Sequence, residues 1–416
     1  MNLKREQISR CEVCGSAELA TVLDLGLHPM CDDLVRVGED RICRKYPIEI
    51  LFCGDCCTAH QRFQVPKQEL FPSSYHYRSR FTADVLTGMK GLVAACEDRF
   101  GSLTGKRVLD VGCNDGSLLD FFRQKGAVTI GIEPTGASLD AKQKGHAVFE
   151  RFLSEAVADE VVGAYGPPDI ITFTNVFAHI ENLNEVLCSL RRLRTPQTVI
   201  VIENHYLGAV LAGNQFDTFY HEHPRTYSYT SFVHMAKTLG MALADAEFPS
   251  RYGGNIRVFL GEAGAIRRAE SDGHRELLAK EQRFSRDFAT LRDNIGRWRQ
   301  TKWRLVAELI RQHGKLRAKA FPGRAAILVK LLELDEDAIS AVYEKPGSLK
   351  IGHYLPGTRI PIRSDDDLFA FSEKPQPLLN LAWHIPAEIR GYLAEHGYRG
   401  PIIDILNAED FIAGPR

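Results

Sequence analysis

The stretch RVLDVGCNDGSLLDFFRQKGAVTIGIE, residues 107–133, decides the fold of the central part of this 416-residue chain. Its opening apolar run predicts a short buried strand, and the apolar positions after the glycine-rich turn predict one face of a helix. A second strand, Val128–Ile132, ends in the acid Glu133. Glycines let a backbone approach a ligand, and an acid at the end of the second strand can hold both ribose hydroxyls. The pattern favours nucleotide binding at the carboxyl edge of a parallel sheet.

The turn reads DxGxNDG from Asp110 to Gly116, whereas a dinucleotide-binding turn would read GxGxxG. It resembles the first motif of class I methyltransferases that depend on S-adenosylmethionine (SAM), with asparagine in place of the middle glycine. SAM has no pyrophosphate, so it needs no phosphate cradle. The alternative is a strand-to-helix turn that binds nothing. The candidate cofactor residues are Asp110, Gly112, Asn114, Asp115, Gly116 and Glu133.

Further strands are predicted at Asp169–Phe173 and Thr198–Ile202. The alternation of strands and helices over residues 110–205 indicates a doubly wound α/β sheet. Asn175 and His179 follow the first of these strands, where such enzymes meet cofactor and substrate. Asn175 is therefore a candidate cofactor residue. On its own, His179 is equally well explained as a hydrogen-bonded histidine at a strand end.

Composition sets broad limits on function. Hydrophobic residues make up 44% of the chain, charged residues 25%, and the formal net charge is −1. These values are typical of a soluble globular protein and favour binding to neither nucleic acid nor an anionic membrane. The length predicts two or three domains. With no signal-like start and no apolar run of about 20 residues, a cytoplasmic protein is expected.

Seven of the ten cysteines lie within the first 57 residues. Cys11 with Cys14, and Cys53 with Cys56, form two CxxC pairs, which together are typical of a tetrahedral zinc site. All four positions are then filled by sulfur, so the Zn²⁺ is predicted to be structural. The alternative is free thiols without a metal, and Cys57 is interpreted as a bystander.

The octet FDTFYHEH, residues 216–223, carries the second candidate site. Zinc proteases place two histidines four residues apart on a helix, but His221 and His223 are two apart and no third ligand is obvious. A surface loop is another alternative. Acid–base chemistry fits better, because histidine titrates near neutral pH, Glu222 can orient an imidazole and Tyr220 can donate to an oxyanion. A methyltransferase needs such a base when its acceptor is a carbon beside a carbonyl group.

The last third of the chain predicts a second α/β unit. Apolar residues between Phe284 and Trp298 recur at spacings of three and four, which indicates an amphipathic helix. Strands are predicted at Ala325–Val329, Ala341–Tyr343 and Pro401–Leu406.

The whole chain resembles the three-domain sugar C-methyltransferases that modify nucleotide-linked 4-keto-deoxysugars. The likeness runs from the CxxC pairs through VLDVGCNDGS and FDTFYHEH to PGTRIPI and LLNLAWHIPAEI. It implies a zinc-binding domain (1–70), a class I methyltransferase domain with a Rossmann-like fold (71–248), and a C-terminal Rossmann-like α/β domain that binds the sugar nucleotide (249–416).

The resemblance also implies roles for individual residues. His223 matches the base of the family, Tyr220 and Glu222 match its companions, and His179 matches a histidine that faces the sugar. In SSYHYRSRF, Tyr77 matches a tyrosine that reaches the active site.

Two departures from the family pattern and one retained stretch bear on these assignments. Arg78–Arg80 stands where small hydroxyl residues are usual, so Tyr75 is a second choice for the tyrosine. Pro322–Arg324 replaces a glycine-rich turn, which leaves the carrier open between TDP and GDP. The stretch RYGGNIRV retains the pair Gly253 and Gly254 together with Arg257, which either neighbour a ligand or form a structural turn.

The predicted function is SAM-dependent methylation at C3 of a nucleotide-linked 4-keto-6-deoxysugar through an enolate that His223 generates, by a protein expected to be a monomer. The alternatives are an RNA or protein methyltransferase with a zinc-binding head, or a non-catalytic module that binds SAM or a nucleotide sugar. Near-neutral charge and the lack of a basic aromatic patch count against RNA.

Overall fold

The computed structural model of the protein describes residues 7–71, 78–81, 83–262, 273–371 and 376–411. The chain divides into two compact units. Unit 1 comprises Met1–Thr21, Leu51–Val210 and Glu222–Ser285, and unit 2 comprises Val22–Ile50, Leu211–His221 and Arg286–Arg416. The octet FDTFYHEH is therefore divided, with its last two residues in unit 1 and the rest in unit 2.

The strands and helices alternate along most of the chain. The strands are β1 (Leu19–Pro29), β2 (Val35–Arg36), β3 (Lys45–Cys53), β4 (Thr58–Gln61), β5 (Arg107–Val111), β6 (Val128–Ile132), β7 (Ala147–Phe149), β8 (Ile170–Thr174), β9 (Val199–His205), β10 (Arg225–Thr226), β11 (Ala242–Glu247), β12 (Asn255–Gly261), β13 (Leu316–Lys319), β14 (Ile339–Glu344), β15 (His353–Tyr354), β16 (Ile362–Ser364), β17 (Leu378–Asn380) and β18 (Ile402–Asp404). The helices are α1 (Lys67–Leu70), α2 (Ala83–Phe100), α3 (Ser117–Gln124), α4 (Ser138–Gln143), α5 (Glu155–Tyr165), α6 (Leu183–Leu193), α7 (Leu207–Ala212), α8 (Tyr229–Thr238), α9 (Gly273–Glu281), α10 (Phe284–His313), α11 (Ala325–Leu331), α12 (Asp365–Phe369) and α13 (Pro386–Glu395). Short 3-10 helices lie at Ser79–Phe81, Phe177–His179, Phe216–Thr218, Arg251–Gly253 and Ala408–Phe411.

Unit 1 contains a seven-stranded sheet in the order β11-β12-β9-β8-β5-β6-β7. The five strands from β9 to β7 are parallel, and β12 and β11 are antiparallel to their neighbours. The chain adds β6 and β7 on one side of β5 and then β8 and β9 on the other. Ligands of doubly wound sheets bind at such a reversal, at the carboxyl ends of the strands. The fold predicted from residues 107–133 is confirmed in β5, α3 and β6.

The central strands of unit 1 are apolar on both faces, as buried parallel strands must be. Val108 and Leu109 of β5 are fully buried, as are Leu118 and Phe122 of α3. One hydrophobic cluster joins β5 and α3 to α2, which contributes Leu92. Burying each such side chain stabilises the fold by about 1.5–3 kcal/mol. The turn after β5 therefore stands on a rigid support.

Unit 2 contains a five-stranded parallel sheet in the order β16-β14-β13-β17-β18. The strand order again reverses at the first strand of the sheet, β13. Strands β14 and β16 lie on one side of β13, and β17 and β18 lie on the other. The strands predicted at Ala341–Tyr343 and Pro401–Leu406 are confirmed as β14 and β18. The predicted amphipathic helix is confirmed as the first half of α10, and it buries Trp298 completely. The predicted second α/β unit is thus present.

The strand predicted at Ala325–Val329 is wrong, because these residues form helix α11. All five are buried on every side, with exposed fractions of 0–1%. A short, wholly apolar segment carries no periodicity that separates a buried helix from a buried strand. Among the described residues, no helix is both long enough and apolar enough to span a membrane.

Candidate active site

Four cysteines of unit 1 form a compact cluster. The Sγ atoms of Cys11, Cys14, Cys53 and Cys56 all lie within 4.8 Å of one another. The Sγ atoms of Cys11 and Cys56 are 3.3 Å apart, and those of Cys14 and Cys53 are 3.6 Å apart. Four sulfur donors converging on one point fit a structural zinc ion. Cys57 is not in the cluster, and its Sγ lies 3.6 Å from the carbonyl oxygen of Glu281.

The surroundings of the cysteine cluster hold it in place. The Nε2 atom of His60 in β4 lies 3.3 Å from the Sγ of Cys11. The carbonyl oxygen of Cys56 accepts hydrogen bonds from the hydroxyls of Ser228 and Ser231, at 3.3 and 3.2 Å. Such contacts around the ligands orient a metal site. They also join it to the start of α8, just after the FDTFYHEH segment.

The turn between β5 and α3 depends on glycine. Gly112 has φ +74°, and a Cβ atom there would lie 2.5 Å from Cγ2 of Val176, which excludes any side chain. Asp110, at the end of β5, accepts a hydrogen bond of 2.7 Å from the hydroxyl of Thr172. Burial raises the pKa of Asp110 to about 7. The turn is therefore close-packed beneath the carboxyl edge of the sheet.

The acid of β6 reaches the same turn. Asn114 has φ 49°, and its backbone N–H donates to Glu133 Oε2 at 3.0 Å. The other carboxylate oxygen of Glu133 accepts from the backbone N–H of Thr135 at 2.9 Å. The side chain of Asp115 accepts a hydrogen bond of 2.6 Å from the hydroxyl of Ser117. Gly116, between these two residues, has φ 74° and caps the N-terminus of α3. These six predicted cofactor residues come together, and a turn with glycine at positions 112 and 116 that is closed by an acid fits SAM.

Arg78–Arg80 is attached to this turn. The backbone N–H of Ser79 donates to the side chain of Asn114 at 3.0 Å, and that of Arg80 donates to Asp115 at 3.0 Å. The side chains of Arg78 and Arg80 both pair with Asp140 of α4, at 2.7 and 3.0 Å. Two departures from the family pattern, the arginine-rich segment and Asn114, therefore contact each other. Tyr75 and Tyr77, the predicted tyrosines, lie outside the described residues.

Asn175, at the end of β8, is held by a buried ionic network. Its backbone N–H donates to the carbonyl oxygen of Glu203 at 2.7 Å, and its side-chain oxygen accepts from Asn255 at 3.2 Å. The carboxylate of Glu203 is fully buried between Arg251 and Arg257, at 2.9 and 2.7 Å. Arg257, predicted as a possible ligand neighbour, thus pairs with a carboxylate of the chain. The sequence pattern did not single out Glu203 or Asn255.

Three histidine rings meet near the carboxyl ends of β8 and β9. The ring centroids of His179 and His223 are 4.8 Å apart, and those of His205 and His223 are 5.4 Å apart. The ring of Phe71 stands edge-on to His179 at 5.4 Å. His223 and Glu222 are both buried, with 6% and 7% exposed. His205 was not predicted as a site residue. It is the last residue of β9, and His179 follows the end of β8, so both lie at the same edge of the sheet.

His179 is half-buried, and one nitrogen of its ring is held by the backbone. Nδ1 of His179 lies 2.8 Å from the backbone carbonyl oxygen of Glu222. A carbonyl oxygen only accepts hydrogen bonds, so Nδ1 carries the proton. Burial lowers the pKa of His179 to about 4, so its ring is neutral near pH 7. A group with this pKa is a weak base at that pH.

The remaining members of FDTFYHEH belong to unit 2. The Nε2 atom of His221 lies 3.2 Å from the carbonyl oxygen of Tyr46, whose ring it meets at 5.7 Å. Tyr220 is half-buried. Across the described ranges, the cysteine cluster is the one group of histidine, cysteine and carboxylate residues arranged to hold a metal.

Comparison with known proteins covers most of the chain. Residues 11–71 match a family of zinc binding domains, residues 84–245 a family described as methyltransferase domain, and residues 250–402 a family described as C-methyltransferase C-terminal domain. The C-methyltransferase NovU of Streptomyces niveus is 28% identical over 394 residues, which cover 92% of this chain and 91% of NovU.

Other likenesses are confined to part of the chain. A ubiquinone biosynthesis O-methyltransferase of Dechloromonas aromatica (strain RCB) is 35% identical over 105 residues, covering 24% of this chain and 44% of that protein. The crystal structure of magnesium protoporphyrin IX methyltransferase from Synechocystis PCC 6803 with bound SAM shares 16% identity, covers 43% of this chain and 80% of that one, and has a TM-score of 0.32.

The sheet order of unit 1, the turn at Gly112 and the cysteine cluster define a SAM-dependent methyltransferase with a structural zinc site. The matches to three successive families, together with the near full-length likeness to NovU, narrow this class further. Together they support the family of three-domain C-methyltransferases.

Proposed function

We propose that this protein transfers the methyl group of SAM to C3 of a nucleotide-linked 4-keto-6-deoxysugar. The observation that carries the proposal is the contact of two histidine rings, His179 and His223, whose centroids lie 4.8 Å apart. A carbon acceptor beside a ketone must lose a proton before it becomes nucleophilic, and a histidine held near the methyl donor suits this step. The full-length likeness to a C-methyltransferase supports the choice of carbon as the acceptor.

His223 is the proposed base. Its neighbour His179 has a pKa lowered to about 4 by burial and is therefore poorly suited to removing a proton. His223 takes the C3 proton, and the electron pair of the broken C–H bond moves toward the C4 oxygen to form an enolate. Glu222, the residue before His223, stabilises the resulting imidazolium. C3 then bonds to the methyl carbon as the bond from that carbon to sulfur breaks, so that S-adenosylhomocysteine leaves. The imidazolium gives up its proton to solvent.

The enolate oxygen needs hydrogen-bond donors. Tyr220 and Tyr77 are proposed for this role from the family resemblance. His179 is proposed to position His223, because its hydrogen bond to the carbonyl oxygen of Glu222 fixes the backbone just before His223. A donor aimed at a developing oxyanion contributes about 2.7–4 kcal/mol to catalysis in other enzymes.

SAM supplies an electrophilic methyl group on its sulfonium sulfur. Asp110, Gly112, Asn114, Asp115, Gly116, Glu133 and Asn175 are the residues proposed to hold it. Gly112 leaves room for close approach, and Glu133 offers the carboxylate for the ribose hydroxyls. A buried site excludes water, which favours the neutralisation of an enolate by a sulfonium.

The nucleotide is proposed to bind the C-terminal domain, residues 249–416. Its parallel sheet reverses between β13 and β17, and doubly wound sheets bind ligands at the carboxyl edge of such a reversal. TDP and GDP are both compatible with this fold. The cysteine cluster is proposed to stabilise the protein without taking part in the chemistry.

The test is an incubation with SAM and a panel of TDP-, GDP- and CDP-linked 4-keto-6-deoxysugars. The expected result is a mass gain of one methyl group on one of these sugars, and no gain with the corresponding 4-hydroxy sugar. In D₂O with S-adenosylhomocysteine in place of SAM, deuterium should enter C3 in the wild type and not in His223→Asn. Methylation of RNA or protein, with every sugar unchanged, would refute the proposal.

A further inference from the structure

Arg225, two residues after His223, is a fully buried cation whose nitrogen atoms are all used. Its Nε donates to the hydroxyl of Tyr227 at 3.0 Å, and Nη1 pairs with the carboxylate of Glu12. Its Nη2 donates to the backbone carbonyl oxygens of Ile180 and Glu181, the latter at 3.0 Å. A buried charge needs such complete compensation. The proposed reaction assigns no part to this residue.

The two carbonyl groups held by Arg225 belong to the residues directly after His179. On the other side, Arg225 begins β10, and only Pro224 separates it from His223. The carbonyl oxygen of Pro224 accepts from the backbone N–H of Gln61 at 2.8 Å. One guanidinium group thus holds both chain segments that carry the two contacting histidines.

The partners of Arg225 also belong to the zinc-binding region. Glu12 lies between Cys11 and Cys14 in the first CxxC pair. The cross-strand partner of Arg225 is His60 of β4, the strand that follows the second CxxC pair. His60 lies 3.3 Å from the Sγ of Cys11 and 3.6 Å from the carboxylate of Glu12. The cysteine cluster and the histidine pair therefore share one buried ionic group.

We propose that Arg225 is a positioning residue that transmits the geometry of the cysteine cluster to His179 and His223. A metal held by the four cysteines fixes Glu12 and His60, these fix the guanidinium, and the guanidinium fixes the backbone after His179. The zinc-binding region then sets the alignment of the histidines as well as the stability of the fold. This inference rests on the proposed function, in which His223 acts as the base.

The variant that tests the proposal is Arg225→Lys. Lysine keeps the charge opposite Glu12, but its single ammonium group cannot also bind Tyr227 and two carbonyl oxygens in a planar fork. Misplacement by about 1 Å reduces turnover about 100-fold in other enzymes. We expect a similar fall in kcat, with the KM for the sugar, the Kd for SAM and the zinc content each within about twofold of wild type. The control is Arg151→Lys, in an exposed pair with Glu160, which should match wild type in every respect.

A second readout does not depend on turnover. Long-range ¹H–¹⁵N spectra of the SAM-bound protein without sugar report the Nδ1-protonated tautomer of His179. We expect this signature to be lost in Arg225→Lys, and to be lost in the wild type when a chelator removes the metal. If the signature persists both in Arg225→Lys and in the metal-free wild type, the positioning role of Arg225 is wrong. This outcome does not depend on which class of acceptor the protein methylates. The positioning role is equally wrong if kcat falls only in proportion to the folded fraction measured by circular dichroism.

Discussion

Nδ1 of His179 donates a hydrogen bond of 2.8 Å to the backbone carbonyl oxygen of Glu222, the residue that precedes His223. This bond fixes the tautomer of one histidine and the chain position of the other. Because burial also lowers the pKa of His179 to about 4, this ring is poorly suited to removing a proton near pH 7. We propose that His179 positions the chain and that His223 exchanges protons.

Replacing each histidine separately should reveal this division. His223→Asn should reduce kcat by about 10²–10⁴-fold, the usual contribution of a general base, and leave the Kd for SAM unchanged. His179→Asn should lower kcat but keep the shape of the pH profile. His179 is neutral throughout pH 5–9 because its folded pKa of about 4 lies below that range. The measurements are kcat between pH 5 and 9 and calorimetric titration with SAM.

His221→Asn is the matched control, because His221 contacts Tyr46 within unit 2. Its kcat should stay within a few-fold of wild type. Full activity of His223→Asn would move the base to another residue, and a pH profile altered by His179→Asn would show that His179 titrates in turnover.

Two glycines with the same backbone conformation allow a test of the cofactor turn. Gly112 and Gly105 have φ +74° and +75°, but a Cβ atom would strike Val176 only at Gly112 and would find open space at Gly105. Both alanine variants should lose about 1 kcal/mol of stability from backbone strain, and Gly112→Ala should lose more because its Cβ clashes with Val176. Only Gly112→Ala should weaken SAM binding, by at least about tenfold in Kd, and Val176→Ala should restore part of it. Equal Kd values for the two single variants would exclude Gly112 from the cofactor site.

Asp110 should make the stability of the protein depend on pH. Its folded pKa, raised to about 7 by burial, lies above the value of about 3.9 for an unfolded aspartate. The stabilisation from its bound proton is complete below pH 3.9 and is lost as the pH rises through 7. Asp110→Asn, which can still accept from Thr172, should therefore gain stability relative to wild type between pH 5 and 7. The gain should be at most about 1.4 kcal/mol per pH unit, measured by urea unfolding without SAM. A constant difference across this range would contradict the raised pKa.

The predictable parts of the fold and the site are those formed by residues that are close together in the sequence. The turn after β5 and the two CxxC pairs need only local spacing, and both were found in the sequence. His205 and Asn255 join the site only because the sheet order places β9 beside β8 and β12 beside β9. The pair of Arg225 and Glu12 spans 213 residues, and no local pattern encodes a contact of that separation.

The last prediction concerns Asp217, the second residue of FDTFYHEH. Its carboxylate is fully buried in unit 2 and accepts from Arg324 at 2.7 and 2.8 Å and from the indole of Trp383 at 2.8 Å. Arg324, which stands where the family has a glycine-rich turn, is thus bound to a carboxylate of this segment. Arg324→Ala should lower the free energy of unfolding by about 3–5 kcal/mol, because it leaves a buried charge without its cation.

Neutralising the carboxylate should recover most of that loss. In Arg324→Ala combined with Asp217→Asn, the amide can still accept from Trp383 and carries no charge to be buried. Arg299→Ala is the control, since Arg299 pairs with Glu333 at 3.3 Å on the surface and should change the free energy of unfolding by less than about 1 kcal/mol. Denaturant unfolding of all four proteins measures these differences. If the double variant is no more stable than Arg324→Ala, the arginine acts through packing and not through its charge, and its replacement of glycine in this chain needs a steric explanation.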